Sequence, residues 1–138
     1  MKLLGFNFSK IHIEKLKDKV EGLKISNKID VSEITEAKAD MLKLKEEVLA
    51  VKFNFGLDYE PEMAKIDLEG NLILSLDSKR AKDVLKQWKD KKMPEEFRLP
   101  LFNLILRKCS LKALQLEEEM NLPIHFQLPS LKVQNKEN

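Results

Sequence analysis

The sequence has 138 residues, 25 of them basic and 23 acidic, for a formal net charge of +2. That near balance carries no global nucleic-acid or acidic-membrane footprint. The single cysteine, Cys109, excludes an intrachain disulfide and a thiolate metal cage within one chain. No apolar run approaches the roughly 18 residues needed to cross a bilayer. Met1-Lys2-Leu3-Leu4 leads into Gly5, Asn7, Ser9 and Lys10 and not into an apolar signal core. The expectation is a cytoplasmic protein without membrane insertion. Its length suits one domain over residues 1–132, which buries about two thirds of its unfolded surface, with a polar, fraying tail over 133–138.

Alternation comes first along the chain. Phe6, Phe8, Ile11 and Ile13 predict a strand, but Ser9 and Lys10 slip the phase between Phe8 and Ile11, which predicts a bulge there. Residues 14–22 are too charged to classify. A second run holds Leu23, Ile25, Asn27, Ile29 and Val31, with Asn27 as an inward polar position, and 35–40 reads as a loop or a short helical turn. The third run is the clearest. Leu49, Val51, Phe53, Phe55, Leu57 and Tyr59 alternate with Ala50, Lys52, Asn54, Gly56 and Asp58, and its start is expected near Leu42. Glu60-Pro61-Glu62 supplies a turn. Ala64, Ile66, Leu68, Leu72, Leu74 and Leu76 then make a fourth strand, with a bulge expected at Gly70-Asn71.

Asp77 is a suitable N-cap for a helix over 78–91 whose apolar face is Ala81, Val84, Leu85 and Trp88. A long helix follows from Pro94. Phe97, Leu101, Leu104, Ile105, Leu111, Leu114 and Leu122 lay a wide apolar stripe along it, and Glu95 and Glu96 suit its positive end. Pro100 kinks this helix or delays its start to Arg98 or Leu99, and Asn121-Leu122-Pro123 ends it. Residues 124–128, Ile-His-Phe-Gln-Leu, read as strand-like. Four strands followed by two helices give an α+β fold: a four-stranded antiparallel sheet, then a short helix, then a long C-terminal helix packed on one face of the sheet.

Little here suggests catalysis, a cofactor or a metal. Gly5, Gly22, Gly56 and Gly70 lie too far apart for a phosphate-cradling loop. His12 and His125 read as ordinary sheet or surface residues, and a Cys109–His125 nucleophile pair lacks an activating turn in the local sequence. Cys109 reads as a small apolar filler, and Glu117-Glu118-Glu119 as a solvated helix face. Two leads remain. Lys79, Arg80, Lys82, Lys86, Lys89, Lys91 and Lys92 outnumber Asp77, Asp83 and Asp90, which is either a solvated face or a contact for phosphate or an acidic partner. The aromatic inventory, Phe6, Phe8, Phe53, Phe55, Tyr59, Trp88, Phe97, Phe102 and Phe126, either fills one core or is shared with another subunit or a client.

The order of elements resembles the SecB export-chaperone family. The residues that carry the resemblance are Leu74-Ser75-Leu76 leading into the helix at Ser78, Leu99-Pro100 near the start of the long helix, and the Pro123 to Pro129 segment after it. The likeness covers most of the chain from Leu23 onward. It implies a non-enzymatic protein that binds unfolded or partly folded polypeptides through exposed apolar grooves without ATP, assembled as a dimer or tetramer. The client-binding residues it points to are Phe6, Phe8, Phe53, Phe55, Leu122, Phe126 and Leu128. Three departures stand out. The long helix continues about two turns further, through Lys112 to Met120, the crossover between the first two strands lacks the aromatic content that lines the client groove in the family, and the acidic character with which the family engages its translocase motor is missing. The rival reading is an adaptor or assembly subunit that binds a folded partner or nucleic acid through the basic helix at 79–92, with Lys79, Lys82, Lys86 and Lys89 as its contacts.

Overall fold

The computed structural model describes residues 1–37 and 46–133. Four strands precede two helices: β1 (Lys2–Lys15), β2 (Lys24–Ala37), β3 (Glu47–Glu60), β4 (Ala64–Leu76), α1 (Ser78–Trp88) and α2 (Glu95–Glu119). The strands pair antiparallel in the order β1-β4-β3-β2. The fold is therefore the α+β arrangement that the alternation predicts, with β1 and β2 as its two open edges.

A period of two separates the faces of the sheet. Val51, Phe53, Phe55, Leu57 and Tyr59 of β3 stand beside Leu72, Gly70, Leu68, Ile66 and Ala64 of β4, and all of them are buried. The opposite face carries Lys52, Lys65, Asp67 and Glu69, with exposed ion pairs between Lys10 and Glu69 and between Lys52 and Glu33. Such pairs contribute little, so the buried face holds the sheet together.

Bulges adjust the edge strands to this frame. In β1, Phe8 pairs with Gly70 and Lys10 with Glu69, which leaves Ser9 as the extra residue at the predicted phase slip. In β2, Ser32 is extra, and it returns Ile34 to the same face as Val31. That correction of phase keeps an apolar residue over Val51, so 35–37 continue as strand where a loop or helical turn was expected. Residues 38–40 and the strand start expected near Leu42 lie outside the described residues. Asn27 pairs with Leu57 on the covered face but is exposed, because β2 is an edge.

The β3–β4 pairing runs through Gly70 and Asn71 without a shift. The bulge expected at those residues is thus on β1, opposite them. The glycine meets a different demand: a Cβ there would lie 2.3 Å from the Asn7 carbonyl oxygen and 2.6 Å from Phe53 Cζ. Absence of a side chain lets the Phe53 ring lie across the strand, stacked on Phe6 at 5.0 Å and edge-on to Phe8 at 6.3 Å. Gly70→Ala is expected to destabilise the fold by about 1 to 3 kcal/mol through overpacking. A lowered urea midpoint at unchanged slope is the result to look for, and an unchanged midpoint would contradict this packing.

The Asp77 side chain accepts the Arg80 N–H at 3.3 Å and caps α1. This helix stops at Trp88, short of Lys91, because Lys91 turns left-handed and the Lys91 and Lys92 N–H groups bond back to the Trp88 and Gln87 carbonyls. α2 starts at Glu95, and Pro100 lies inside it. The start is not delayed: Pro100 lies on the exposed side of the helix, where Glu96, whose carbonyl loses its donor, is exposed too. Phe97, Leu101, Ile105, Cys109 and Ala113, spaced by four, are buried with Leu116. The predicted stripe divides: Leu104 and Leu114 are half-buried and Leu111 is exposed, as is Leu99. Asn121, left-handed, ends the helix, and the Leu122 N–H bonds back to the Glu117 carbonyl at 2.8 Å.

Candidate functional site

The fourfold spacing that buries Phe97, Leu101, Ile105, Cys109 and Ala113 continues to Glu117, which places a carboxylate in the core at 0% exposure. A buried carboxylate without partners costs several kcal/mol. Here it accepts hydrogen bonds from three groups on two other segments. The Tyr59 hydroxyl at the end of β3 donates to Oε2. The His125 backbone N–H donates to the same oxygen at 3.0 Å, and His125 Nδ1 lies 2.9 Å from Oε1. The His125 side chain is 5% exposed, and Nε2 has no hydrogen-bond partner. Burial, and then the bond to and charge of Glu117, push the Tyr59 hydroxyl far above its ordinary range, so it remains a donor. Nearby, Lys15 Nζ of β1 donates to the Met120 carbonyl at 3.2 Å and covers the end of α2.

These contacts correct three expectations. Glu117 is not part of a solvated face, although Glu118 and Glu119 are exposed. His125 is not an ordinary surface histidine. Residues 124–128 form no strand, because the chain bends at His125, whose N–H is committed to Glu117 and not to a sheet partner. The fourfold spacing from Phe97 was the signal in the sequence that pointed to Glu117. Nothing local pointed to Tyr59, 58 residues away.

His125 also faces the β2 edge. His125 forms one wall of an open hollow of about 230 Å³, with Ile25, Ser26, Asn27 and Leu57 as the others. The Phe126 ring packs edge-on to the imidazole at 4.8 Å.

The seven residues singled out as client-binding fall into three groups. Phe53 and Phe55 are 1% and 2% exposed, and Leu122 is also buried, so in this conformation they offer a client no surface. Phe6 and Phe8 are half-buried on the covered face of β1, with Lys108 Nζ of α2 5.8 Å from the Phe6 ring centre. Phe126 and Leu128 are exposed, at 38% and 42%. The exposed groups are not brought together: Phe6 and Phe8 belong to the β1 edge, and Phe126 follows the histidine that lines the β2 edge. A third apolar area, missed as such in the sequence, lies along α2, where Leu99 and Leu111 are exposed and Phe102, Leu104, Leu106 and Leu114 half-buried.

Lys79, Lys82 and Lys86 of α1 and Lys89 at its C-cap are all exposed. Arg80 engages Asp77 and Glu96 at 3.9 Å each, but none of those four lysines makes an ion pair among the described residues. Cys109 is fully buried, and burial pushes its thiol up to about 12, the state of an inert core residue and not of a nucleophile. His125 faces Glu117, so the structure does not form a Cys109–His125 pair. His12 stands 3.7 Å from Glu14 on the exposed sheet face. Among the described residues there is no group of three or more potential metal ligands, and no helix is long and apolar enough to cross a membrane.

No family model matches the sequence, and no curated protein matches it. Among solved structures, the chain is similar to the SecB-like chaperone Rv1957 of Mycobacterium tuberculosis, solved in complex with a ChAD peptide from the Rv1956 HigA1 antitoxin. The two share 12% identity, the match covers 96% of this chain and 91% of that one, and the TM-score is 0.50. With four antiparallel strands, a short helix and a long helix in the same order as the sequence resemblance implied, this chain has the SecB-like fold.

Proposed function

We propose that this protein is a non-enzymatic cytoplasmic chaperone that holds unfolded or partly folded polypeptides without ATP. The observation that supports this reading best is the apolar surface left outside the core of a SecB-like fold: Phe126 and Leu128 exposed, Phe6 and Phe8 half-buried, and Leu99 and Leu111 exposed on α2. Client side chains would be held by burying apolar area at about 25 cal/mol per Å². Client main chain would add to the open edge of β1 or β2, where half the backbone groups lack a sheet partner. Phe53 packs beneath Phe6 and Phe8, while Phe55 and Leu122 are buried in the core. The peptide bound by the solved SecB-like neighbour fits a polypeptide client.

Leu99 and Leu111, exposed on α2, suit a homo-oligomer, dimer or tetramer. One experiment reads both parts of the proposal. Light scattering on a sizing column is expected to report a multiple of the 16.1 kDa chain mass, and that species should retain a labelled, permanently unfolded protein with no nucleotide added. A monomer that retains nothing would remove the proposal.

The second reading, an adaptor contacting a folded partner or nucleic acid, is favoured by one observation, the four exposed lysines of α1 that make no ion pair. If Lys79, Lys82, Lys86 and Lys89 neutralise phosphates, each adds about 0.7 to 0.9 to the slope of log affinity against log salt. Replacing all four by glutamine is then expected to remove most of that slope. Absence of nucleic-acid binding at low salt leaves them as a solvated face.

A further inference from the structure

We propose that the seam between β1 and α2 selects acidic clients, unfolded segments in which Asp or Glu is interspersed with apolar residues. The inference rests on the chaperone reading and names the client class of one of its surfaces. The seam begins where the helical cover of the sheet ends. Leu72 and Leu68 of β4 are fully buried, whereas of their partners on β1, Phe6 is half-buried and Ile11 is 46% exposed. Phe6 stands edge-on to Phe8 at 5.2 Å, so two rings and Ile11 form an apolar floor along the open β1 edge.

The wall of the seam is cationic. Lys108 Nζ lies 5.8 Å from the Phe6 ring centre, and Leu104 and Lys112, about one turn to either side, share its face of α2. Lys112 Nζ donates to the Gln115 side-chain oxygen at 3.2 Å, a neutral acceptor. Neither lysine makes an ion pair among the described residues. Neither element supplies a carboxylate here: β1 has no Asp or Glu before Glu14, and α2 has none from Phe97 to Leu116, a stretch that holds Arg98, Arg107, Lys108 and Lys112. Those four cations exceed the formal net charge of +2, so the rest of the chain is net acidic.

An apolar floor beside two unpaired lysines fits one kind of occupant. A client carboxylate above Phe6 would meet ammonium groups in a partly desolvated seam, where the attraction exceeds that between charges in open water. A client lysine would meet repulsion instead. A second copy presenting the same seam would set Lys108 and Lys112 against their equals. A nucleic acid would bring phosphates but no aliphatic side chains for the floor.

The test uses the full chain and three labelled, unfolded peptides, identical in Leu and Phe content and carrying Glu, Gln or Lys at the positions between. Fluorescence anisotropy is expected to show the Glu peptide bound about tenfold more tightly than the Gln peptide, from two partly desolvated pairs, and the Lys peptide bound most weakly. Lys108→Gln combined with Lys112→Gln keeps most of each stem over the floor and is expected to bring the Glu and Gln peptides to one affinity. Ile11→Ser should weaken all three peptides alike, and three unchanged affinities would overturn the floor. Equal binding of the three by wild type overturns the acidic selection and leaves the chaperone reading intact. A Glu preference that survives the paired lysine change, or that disappears when Lys79, Lys82, Lys86 and Lys89 become Gln instead, places the contact outside the seam and overturns it. A labelled single-stranded oligonucleotide that binds wild type but not the paired variant makes the seam a phosphate site and overturns it too. Failure of all three peptides to bind removes both the proposal and the chaperone reading.

Discussion

Replacing Phe55 by serine is expected to cost about 3 to 5 kcal/mol of folding stability. Phe55 is among the largest fully buried side chains, on the covered face of the second strand from the edge, paired with Ile29 on one side and Leu68 on the other. Serine leaves a cavity where the ring was and places a hydroxyl in it, so the transfer and cavity contributions add. The same substitution at Phe126 is expected to change stability little, because that ring is already partly in solvent and packs edge-on to one imidazole. Urea unfolding of the two variants measures the difference directly. Equal losses would mean that Phe126 belongs to the core.

The contrast between these two phenylalanines marks how far the sequence could be read. Alternation placed Phe53, Phe55, Leu57 and Tyr59 on one face of a strand because one face of an antiparallel sheet is buried and the period is two. It could not say what lies over that face, since an aromatic residue under a helix and one lining an open groove have the same pattern. The bulge at Ser9 was legible because an apolar phase slip has few other causes. The one at Ser32 was not, since Val31 and Ile34 are separated by a spacing that also suits a helical turn.

Long-range polar contacts were the larger gap. Glu117 looks like one of three solvated glutamates unless the fourfold spacing from Phe97 through Ala113 is carried one step further. Even then its donors come from the end of β3 and from beyond the helix, and no local pattern in either segment marks them. The strand-like composition of 124–128 misled for the same reason: its propensity is real, but His125 is spent on Glu117 and the strand never pairs. The uncharged run itself was legible, and it is the part of the chain from which the exposed Phe126 and Leu128 come.

Suppression of aggregation is the largest functional effect expected. Holding an unfolded chain requires apolar surface that stays outside the folded core, and this protein retains it on β1, along α2 and at 126–128. Burying roughly 400 Å² of client apolar area at about 25 cal/mol per Å² is worth on the order of 10 kcal/mol before the entropy of capture is subtracted. That is ample for near-stoichiometric holding without nucleotide.

The most direct measurement is therefore light scattering from a chemically denatured, unrelated polypeptide diluted into buffer containing the folded protein. Scattering is expected to be abolished at a near-stoichiometric ratio of folded protein to client, with ATP absent and without effect when added. Phe126→Ser is expected to weaken this holding while leaving the urea midpoint where it was. If the client aggregates at the same rate and to the same extent with wild-type protein as without it, the chaperone account is wrong and the adaptor reading through α1 takes its place.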